Sequence, residues 1–303
     1  MSPLVPGSPH VGRAAVLGLG LMGGSLALAL RAAMLCDEIV GFDPAAGVTE
    51  LALARGMIDR ACEFPAEATR TADMIVLATP TQSARMLLQA ISAQVGPQAI
   101  VTDVCSVKAP VVAWANAALV DPSRFVGGHP MAGSERSGLD AANATLYQGA
   151  RWLLTPTAST APDALALVEA LVRALGAIPQ RLDPAEHDVL LAGASHLPMA
   201  LAAALAVSLA EAPDWPGVAQ VAAGGYRDTT RIAAGDPVMA RDICLSNPDA
   251  LLARLDAYQA RLGDLRTAIA QGDRVALTAF FRASQQARQA WEQTRQTGAE
   301  KQA

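Results

Sequence analysis

Lysine is nearly missing from this chain: among 303 residues only Lys108 and Lys301 carry an ammonium side chain. Lys301 falls in a polar C-terminal tail, so any lysine-based chemistry is confined to Lys108. Cysteine is scarce too. Cys36, Cys62, Cys105 and Cys244 form no CxxC pair, which argues against a zinc site or a disulfide framework and for reduced thiols in a cytoplasmic protein. Positive charge is not in excess. The net charge of −5 speaks against a nucleic-acid surface, and an anionic substrate would need a local cluster of arginines. The opening MSPLVPGSPHVG has neither a basic start nor an apolar run and does not read as a signal peptide.

One long apolar run, Val189 to Ala210, raises the question of a membrane span. It contains Ser195, His196 and Pro198 and is bracketed by Asp188 and Glu211 rather than by basic residues. It is therefore expected to be a buried helix of a soluble domain, with no membrane partner.

The first half alternates short β-rich runs with helical stretches. Strands are expected at Arg13–Gly18, Glu38–Asp43, Asp73–Thr79, Ala99–Val104, Phe125–Gly127 and Trp152–Thr155. Near-continuous apolar strands alternating with helices predict a parallel sheet covered on both faces. A helix from about Pro162 to Leu175 follows, and Ile178–Leu182 is a last strand or a connector. After Asp183 the strand signal stops and four or five helices follow. Pro184 to about Glu211 is one, with Pro198 inside it. Asn247-Pro248-Asp249 reads as an N-cap with proline at the first helical position. The next helix spaces Leu251, Leu255, Tyr258, Leu262, Leu265 and Ile269 alternately four and three apart, a seam of period 3.5 that needs a partner helix. A homodimer would supply one; internal packing would serve equally well. The expected architecture is an α/β Rossmann-type parallel-sheet nucleotide-binding domain (10–182) followed by an all-α dimerisation domain (183–295).

Gly18-Leu19-Gly20-Leu21-Met22-Gly23 is a GxGxxG turn between a strand and a helix, with Asp43 about twenty residues beyond it. Gly18 permits the tight turn, Gly20 lets a pyrophosphate approach the backbone, and Gly23 lets helix and strand pack closely. The helix N-terminus would then face the phosphates, with Leu21 and Met22 in the same cofactor-binding turn. Asp43 would accept a hydrogen bond from the ribose 2′-hydroxyl and repel a 2′-phosphate, which favours NAD over NADP. Thr79 and Pro80 end the third strand beside the same crevice.

Two further segments, Asp103–Lys108 and Gly128–Glu135, close the fourth and fifth strands. Ligands of open α/β sheets bind outside the carboxyl ends of the strands, which directs Ser106 and His129 toward the nicotinamide position. A histidine there can accept a proton while a hydride leaves for the cofactor; position alone leaves a satisfied structural histidine as the other reading. Ser106 could orient the imidazole, cap the following helix, or both. The run Gly224–Arg231 gathers Arg227, Asp228 and Arg231, either for pairing with a substrate carboxylate or as surface charge on a helix. Pro198 frees a backbone carbonyl near His196, which suits a pocket wall or a kinked core helix.

Together, GLGLMGGS, DVCSVK, GGHPMAGSE, SHLP and GGYRDTTRIAAGDP occur in the order found in the prephenate/arogenate (cyclohexadienyl) dehydrogenases of tyrosine biosynthesis, which the chain resembles from about Arg13 to Ala290. The resemblance implies NAD-dependent oxidative decarboxylation. In it His129 takes the proton of the substrate's ring hydroxyl, and Ser106 hydrogen-bonds His129 and the cofactor. Arg231 binds a substrate carboxylate. Glu135, Asp188 and Asp228 resemble acidic positions that pair with arginine and gate the pocket. Ser195 and His196 line it, and Gly224 reaches toward the partner subunit's site. Where some prephenate-specific members have a second histidine in SHLPH, this chain has Met199; where some have a tryptophan before an arginine, it has Ala240. Both departures tilt the expectation toward arogenate or dual use. A regulatory domain after the helices and a chorismate mutase domain before the nucleotide fold are not expected; regulation by tyrosine would act at the active site.

Two other classes fit parts of the pattern. β-Hydroxyacid and imino-acid reductases share the plan of nucleotide domain plus helices, but many of the hydroxyacid members rely on a lysine in or near the helical domain. A non-catalytic NAD-sensing module would bind the cofactor without turnover.

Overall fold

The computed structural model describes residues 9–300, with side chains to 295. Residues 1–8 of the opening segment, and Lys301, lie outside the described residues.

Eight strands form one sheet: β1 (Val11–Leu17), β2 (Cys36–Phe42), β3 (Arg60–Ala61), β4 (Met74–Leu77), β5 (Ile100–Asp103), β6 (Phe125–Pro130), β7 (Arg151–Thr155) and β8 (Ile178–Arg181). Their order is β3-β2-β1-β4-β5-β6-β7-β8. Helices α1 (Leu21–Ala32), α2 (Val48–Ala54), α3 (Pro65–Thr69), α4 (Thr81–Ile91), α5 (Ala109–Ala118) and α6 (Pro162–Ala174) connect them. Side-chain alternation fills both faces of the sheet. Val16 and Val76 enter one core with Leu26, Leu30 and Ile39, while Leu17, Ile75 and Leu77 enter the other with Leu88 and Phe125. The order reverses between β1 and β4, and the crevice beyond their carboxyl ends is where such sheets take ligands.

Two features depart from the expected sheet. β3, only two residues long, carries no alternating pattern. It is set by its pairing with Val40 and Gly41 and by Asp59, whose carboxylate accepts the Ile39 N–H at 2.8 Å. The sheet is also not wholly parallel, because β7 runs antiparallel to β6. No helical crossover joins them. Residues 131–150 stay at the carboxyl end of the sheet, so β7 must start there and run back. That segment is anchored over the glycine turn by Tyr147, whose hydroxyl donates to Met22 O at 2.6 Å, and by Asn143, whose N–H donates to Ser25 Oγ at 2.9 Å.

The helical part begins with α7 (Pro184–Leu191), capped by Asp183, whose carboxylate accepts from Ala185 and Glu186 N–H. A π-turn over Ala192–His196 separates it from α8 (Leu197–Ala210). Pro198 has no N–H to offer the carbonyl of Ala194, and the helix widens by one turn there instead of continuing regularly. Then come α9 (Trp215–Val221), α10 (Gly224–Thr230), α11 (Pro237–Ser246), α12 (Pro248–Gln271) and α13 (Arg274–Glu300). By contact density the chain divides into two compact units, one ending at Leu251 and the other starting at Leu252.

The apolar run is not the buried helix expected from the sequence. Pro184–Ala210 reaches a mean hydropathy of 1.8, yet 22% of its most apolar window is buried, and in α8 only Ala202 is fully covered. The 3.5-residue seam in α12 is open as well, with Tyr258, Leu262 and Ile269 exposed. Asn247 directly precedes α12, with Pro248 first in the helix as expected, and its carbonyl accepts the Leu251 N–H at 3.2 Å, but its side chain does not cap. Its side-chain amide donates to Asp188 O at 2.8 Å and to His196 Nδ1 at 3.3 Å.

Candidate active site

A cleft of about 560 Å³ opens at the carboxyl ends of β1, β4, β5 and β6. Gly20, Leu21, Met22, Thr79 and Pro80 form its floor at the sheet; Ser106 and His129 stand in its centre. Residues Met131–Gly138, Ser195, Met199 and Arg231 complete the wall.

The glycine turn has the shape a dinucleotide requires. Gly18 holds φ +98°, and a Cβ there would lie 2.4 Å from Ala78 O. A Cβ at Gly23 would lie 1.8 Å from Gly18 O, whereas one at Gly20 would meet nothing within 4 Å. The strand–helix packing thus fixes Gly18 and Gly23, and the open space over Gly20 is left for a ligand. Gly20 directly precedes α1, whose first N–H groups face that space. Asp43 follows β2; its carboxylate accepts from Leu19 N–H at 2.7 Å and from Ala45 N–H at 2.9 Å. It therefore stands beside the glycine turn with acceptor capacity left for a ribose hydroxyl. Thr79 Oγ1 is buried with no hydrogen-bond partner among the described residues, a free polar group on the same wall. These residues fit NAD.

His129 belongs to β6 and is buried, yet it lines the cleft. Its Nδ1 lies 2.9 Å from His187 Nε2. His187, fully buried in α7, places its own Nδ1 2.8 Å from Asp188 Oδ1. Asp188 in turn accepts the N–H of Lys108 at 2.7 Å and of Ala109 at 2.9 Å, at the start of α5. The row His129–His187–Asp188 therefore ends on a helix N-terminus, where negative charge is stabilised. Burial is the main cause that pushes His129 well below the ordinary histidine range, and the neighbouring His187, Lys108 and His196 push it the same way. At neutral pH the ring is uncharged and can accept a proton.

Lys108 does not reach the cleft. It is fully buried, donating from Nζ to Asp103 and, at 2.6 Å, to Gly128 O. Asp103 also accepts from Cys105 N–H at 2.9 Å and Gly128 N–H at 3.0 Å. The ion pair ties the ends of β5 and β6 together and so fixes the spacing between Ser106 and His129. The one lysine among the described residues is a structural clamp, which leaves hydroxyacid-type lysine chemistry without its residue.

At the mouth of the cleft Arg231 Nη1 donates to Glu135 Oε2 at 3.2 Å. The Glu135 carboxyl is held below the usual range by its own backbone N–H and by this guanidinium.

Several expected placements are corrected. His129 Nδ1 takes His187 as its hydrogen-bond partner, and no hydrogen bond joins His129 to Ser106 among the described residues. Asp188 pairs with no arginine; it is buried among His187 and the N-terminus of α5. Asp228 is exposed and pairs with its neighbour Arg227, away from the cleft lining. His196 is turned into the interior against Asn247 rather than lining the cleft, and burial lowers its pKa. Gly224 begins α10 outside this chain's own cleft wall, where its expected reach toward a partner subunit's site is not contradicted. Ser195, one residue earlier than His196 on the π-turn, does face the cleft.

The sequence reading passed over His187. A signal was available: only four histidines occur in the chain, and one of them directly precedes the singled-out Asp188.

Comparison with known proteins places these features in a family. A family model described as "Prephenate dehydrogenase, nucleotide-binding domain" matches residues 26–179, and one described as "Prephenate dehydrogenase, dimerization domain" matches residues 183–283. A prephenate dehydrogenase of Bacillus subtilis (strain 168) is 35% identical over 267 residues, covering 88% of this chain and 72% of its own. A cyclohexadienyl dehydrogenase of Zymomonas mobilis is 35% identical over 279 residues, covering 90% of this chain and 94% of its own. Among solved structures, Aquifex aeolicus prephenate dehydrogenase in complex with hydroxyphenyl propionate and NAD+ superposes with a TM-score of 0.85 at 31% identity, covering 92% of this chain and 98% of that one.

Proposed function

Because the chain belongs to the prephenate dehydrogenase family, we propose that it oxidatively decarboxylates a cyclohexadienyl substrate, arogenate or prephenate or both, with NAD+. The products are tyrosine or 4-hydroxyphenylpyruvate. The observation that carries this reading is the buried His129 at the end of β6, lining a cleft that also holds the open glycine turn and Arg231.

Bound NAD+ supplies the hydride acceptor. Gly18, Gly20, Gly23, Leu21 and Met22 present the turn that holds its pyrophosphate, Asp43 takes the ribose, and Thr79 and Pro80 wall the crevice. His129 Nε2 receives the proton of the ring hydroxyl as the hydride leaves the carbinol carbon. The C–H and O–H bonds break, and the carbinol becomes a carbonyl. Loss of the ring carboxylate as CO2 then returns an electron pair to the ring, the carbonyl oxygen takes the proton back from His129 to become the phenol, and aromatisation drives the reaction forward. The protein's task is orientation and proton removal. Arg231 binds a substrate carboxylate, exchanging Glu135 for it. Ser106 contacts the cofactor and Ser195 the substrate.

Residues 10–182 are assigned to NAD binding and 183–295 to the helical substrate and dimerisation domain; the end of β8 at Arg181 and the start of α7 at Pro184 support that division. The exposed apolar surfaces of α8 and α12 support a homodimer formed through the helical domain. Asp188 acts through His187, and Gly224 is assigned to reach toward the partner subunit's site. The free cysteines fit the cytoplasm.

Substrate preference follows from what the wall offers the side chain. Met199, which lines the cleft, offers no hydrogen-bond donor to the keto group of a pyruvyl side chain and no positive charge against the ammonium of an alanyl one, which supports use of arogenate or of both substrates. The deciding experiment follows NADH formation from purified protein with NAD+ or NADP+ and each cyclohexadienyl substrate. Turnover with at least one and faster use of NAD+ is expected. No NAD+ reduction with either substrate would remove the reading, and a clear preference for NADP+ would remove the role given to Asp43.

A further inference from the structure

We propose that His187 is a positioning residue for the reaction: it fixes which nitrogen of His129 is the base and then receives the proton that His129 displaces. The proposal rests on the dehydrogenase reading above for its second half, and on hydrogen-bond geometry alone for its first.

The tautomers follow from the acceptor at the end of the row. Asp188 is already engaged by two backbone N–H donors, so it is an acceptor toward His187 Nδ1. His187 must then carry its proton on Nδ1 and leave Nε2 bare. A bare Nε2 at 2.9 Å accepts from His129 Nδ1–H. His129 is thereby left with an unprotonated Nε2 on its cleft side, the atom the reaction needs. Without His187 the ring would be free to adopt the other tautomer, which presents an N–H to the substrate hydroxyl and cannot act as a base.

The same row can move the proton onward. When the substrate O–H bond breaks and a bond to His129 Nε2 forms, His129 Nδ1–H can transfer to His187 Nε2. His129 returns to neutrality, and the positive charge rests on His187 beside the Asp188 carboxylate. As the ring aromatises, the oxygen takes the proton back from His129 Nε2 while His187 returns its own to His129 Nδ1, so the product leaves as the phenol and both rings regain their starting tautomers. The charged groups around His187 are consistent with a short-lived proton store. Asp188 and Asp103 favour its charged form, while burial and the Lys108 ammonium oppose it. His196, at the end of the π-turn that follows α7, is held neutral by burial and adds no standing positive charge.

Two measurements test this. In wild-type protein with 15N-labelled histidine, two-bond 1H–15N correlation at pH 7.5 should show both His129 and His187 protonated at Nδ1 and bare at Nε2. His129 is assigned by its missing signal in His129→Asn. A His129 signal protonated at Nε2 would overturn the proposal, whatever the enzyme turns over. Second, His187→Gln keeps an acceptor for His129 Nδ1–H but cannot take a proton. Its kcat should fall at least tenfold with KM for substrate and NAD+ within twofold, and the acid limb of kcat/KM should move as the shared proton site is lost. Unchanged kcat and unchanged acid limb would overturn the relay. Should His187→Gln fail to fold, the wild-type spectrum still decides. If the wild-type enzyme uses neither cyclohexadienyl substrate, the tautomer result stands or falls separately from the assigned reaction.

Discussion

Arg231 and Glu135 meet at 3.2 Å across the mouth of the cleft, and both side chains remain partly open to solvent. An exposed pair of this kind adds little to stability, so its arrangement matters for what else the guanidinium can bind. A substrate carboxylate can replace Glu135 on the same fork. A hydrogen bond to a charged group is worth about 1.5–3 kcal/mol, and solvent at the mouth places this one at the low end. Arg231→Ala should therefore raise KM for the substrate roughly tenfold or more while leaving the NAD+ affinity unchanged. Steady-state kinetics with both ligands varied reads this directly. A normal substrate KM would mean that the carboxylate is bound elsewhere.

The pH dependence of catalysis has a defined sign. Burial and neighbouring positive groups lower the pKa of His129 below 6.5. A base must be neutral to act, so activity is full above that lowered value and falls as pH drops through it. The acid limb of kcat/KM should lie below 6.5. His129→Asn should cost about 10²–10⁴-fold in kcat and should abolish that limb, with NAD+ binding by titration calorimetry intact. An acid limb that survives the substitution would assign it to another group.

Three buried histidines link the same chemistry to stability. His129, His187 and His196 all have lowered pKa values in the folded chain. Above the unfolded value of 6.5 both states are neutral and stability is at its full level. As pH falls below 6.5 the unfolded chain takes up protons that the folded chain refuses, so stability falls. Urea midpoints should decrease steadily from pH 7 toward pH 5, before carboxylates titrate. A flat profile over that interval would show that these rings accept protons in place.

Much of this was legible in the sequence because it rests on local rules. GLGLMG between an apolar strand and a helix, with Asp43 at the next strand's end, follows from backbone sterics and hydrogen bonding. The placement of Ser106 and His129 at strand ends follows from sheet topology. What escaped depends on contacts distant in sequence. His187 meets His129 across 58 residues, and no periodicity announces that. Asp188 looked like a gating acid, but which donors surround it is settled only when α7 packs on the start of α5. The antiparallel β7 was hidden because an apolar strand pattern carries no direction. The exposed face of α8 read as core and the α12 seam fitted a dimer or internal packing equally, since apolarity alone does not say whether its cover comes from the same chain.

The Lys108–Asp103 pair permits a sharper test of structure against chemistry. Both side chains are fully buried, and Asp103 receives further hydrogen bonds from Cys105 and Gly128. Removing one partner of a buried pair leaves the other uncompensated, at a cost of about 3–5 kcal/mol. Lys108→Met should lower stability by about that amount in urea unfolding. Bound NAD+ should restore part of it by mass action. A stable variant with turnover selectively lost would instead make Lys108 a reacting group and return the lysine-dependent class to consideration.

Two glycines five and two residues after Gly18 separate fold from cofactor. A Cβ at Gly23 would fall 1.8 Å from Gly18 O, a backbone atom that cannot swing aside. Gly23→Ala should therefore destabilise the protein by at least about 1–3 kcal/mol and lose cofactor binding with the fold. At Gly20 the added methyl meets nothing within 4 Å, so Gly20→Ala should unfold at nearly the wild-type urea concentration. The space it fills is the one reserved for the pyrophosphate, and the NAD+ dissociation constant should rise about tenfold or more, equivalent to about 1.4 kcal/mol. Equal losses of stability in both variants would mean that the openness over Gly20 serves the fold. Undiminished NAD+ affinity in Gly20→Ala would place the dinucleotide on another part of the cleft.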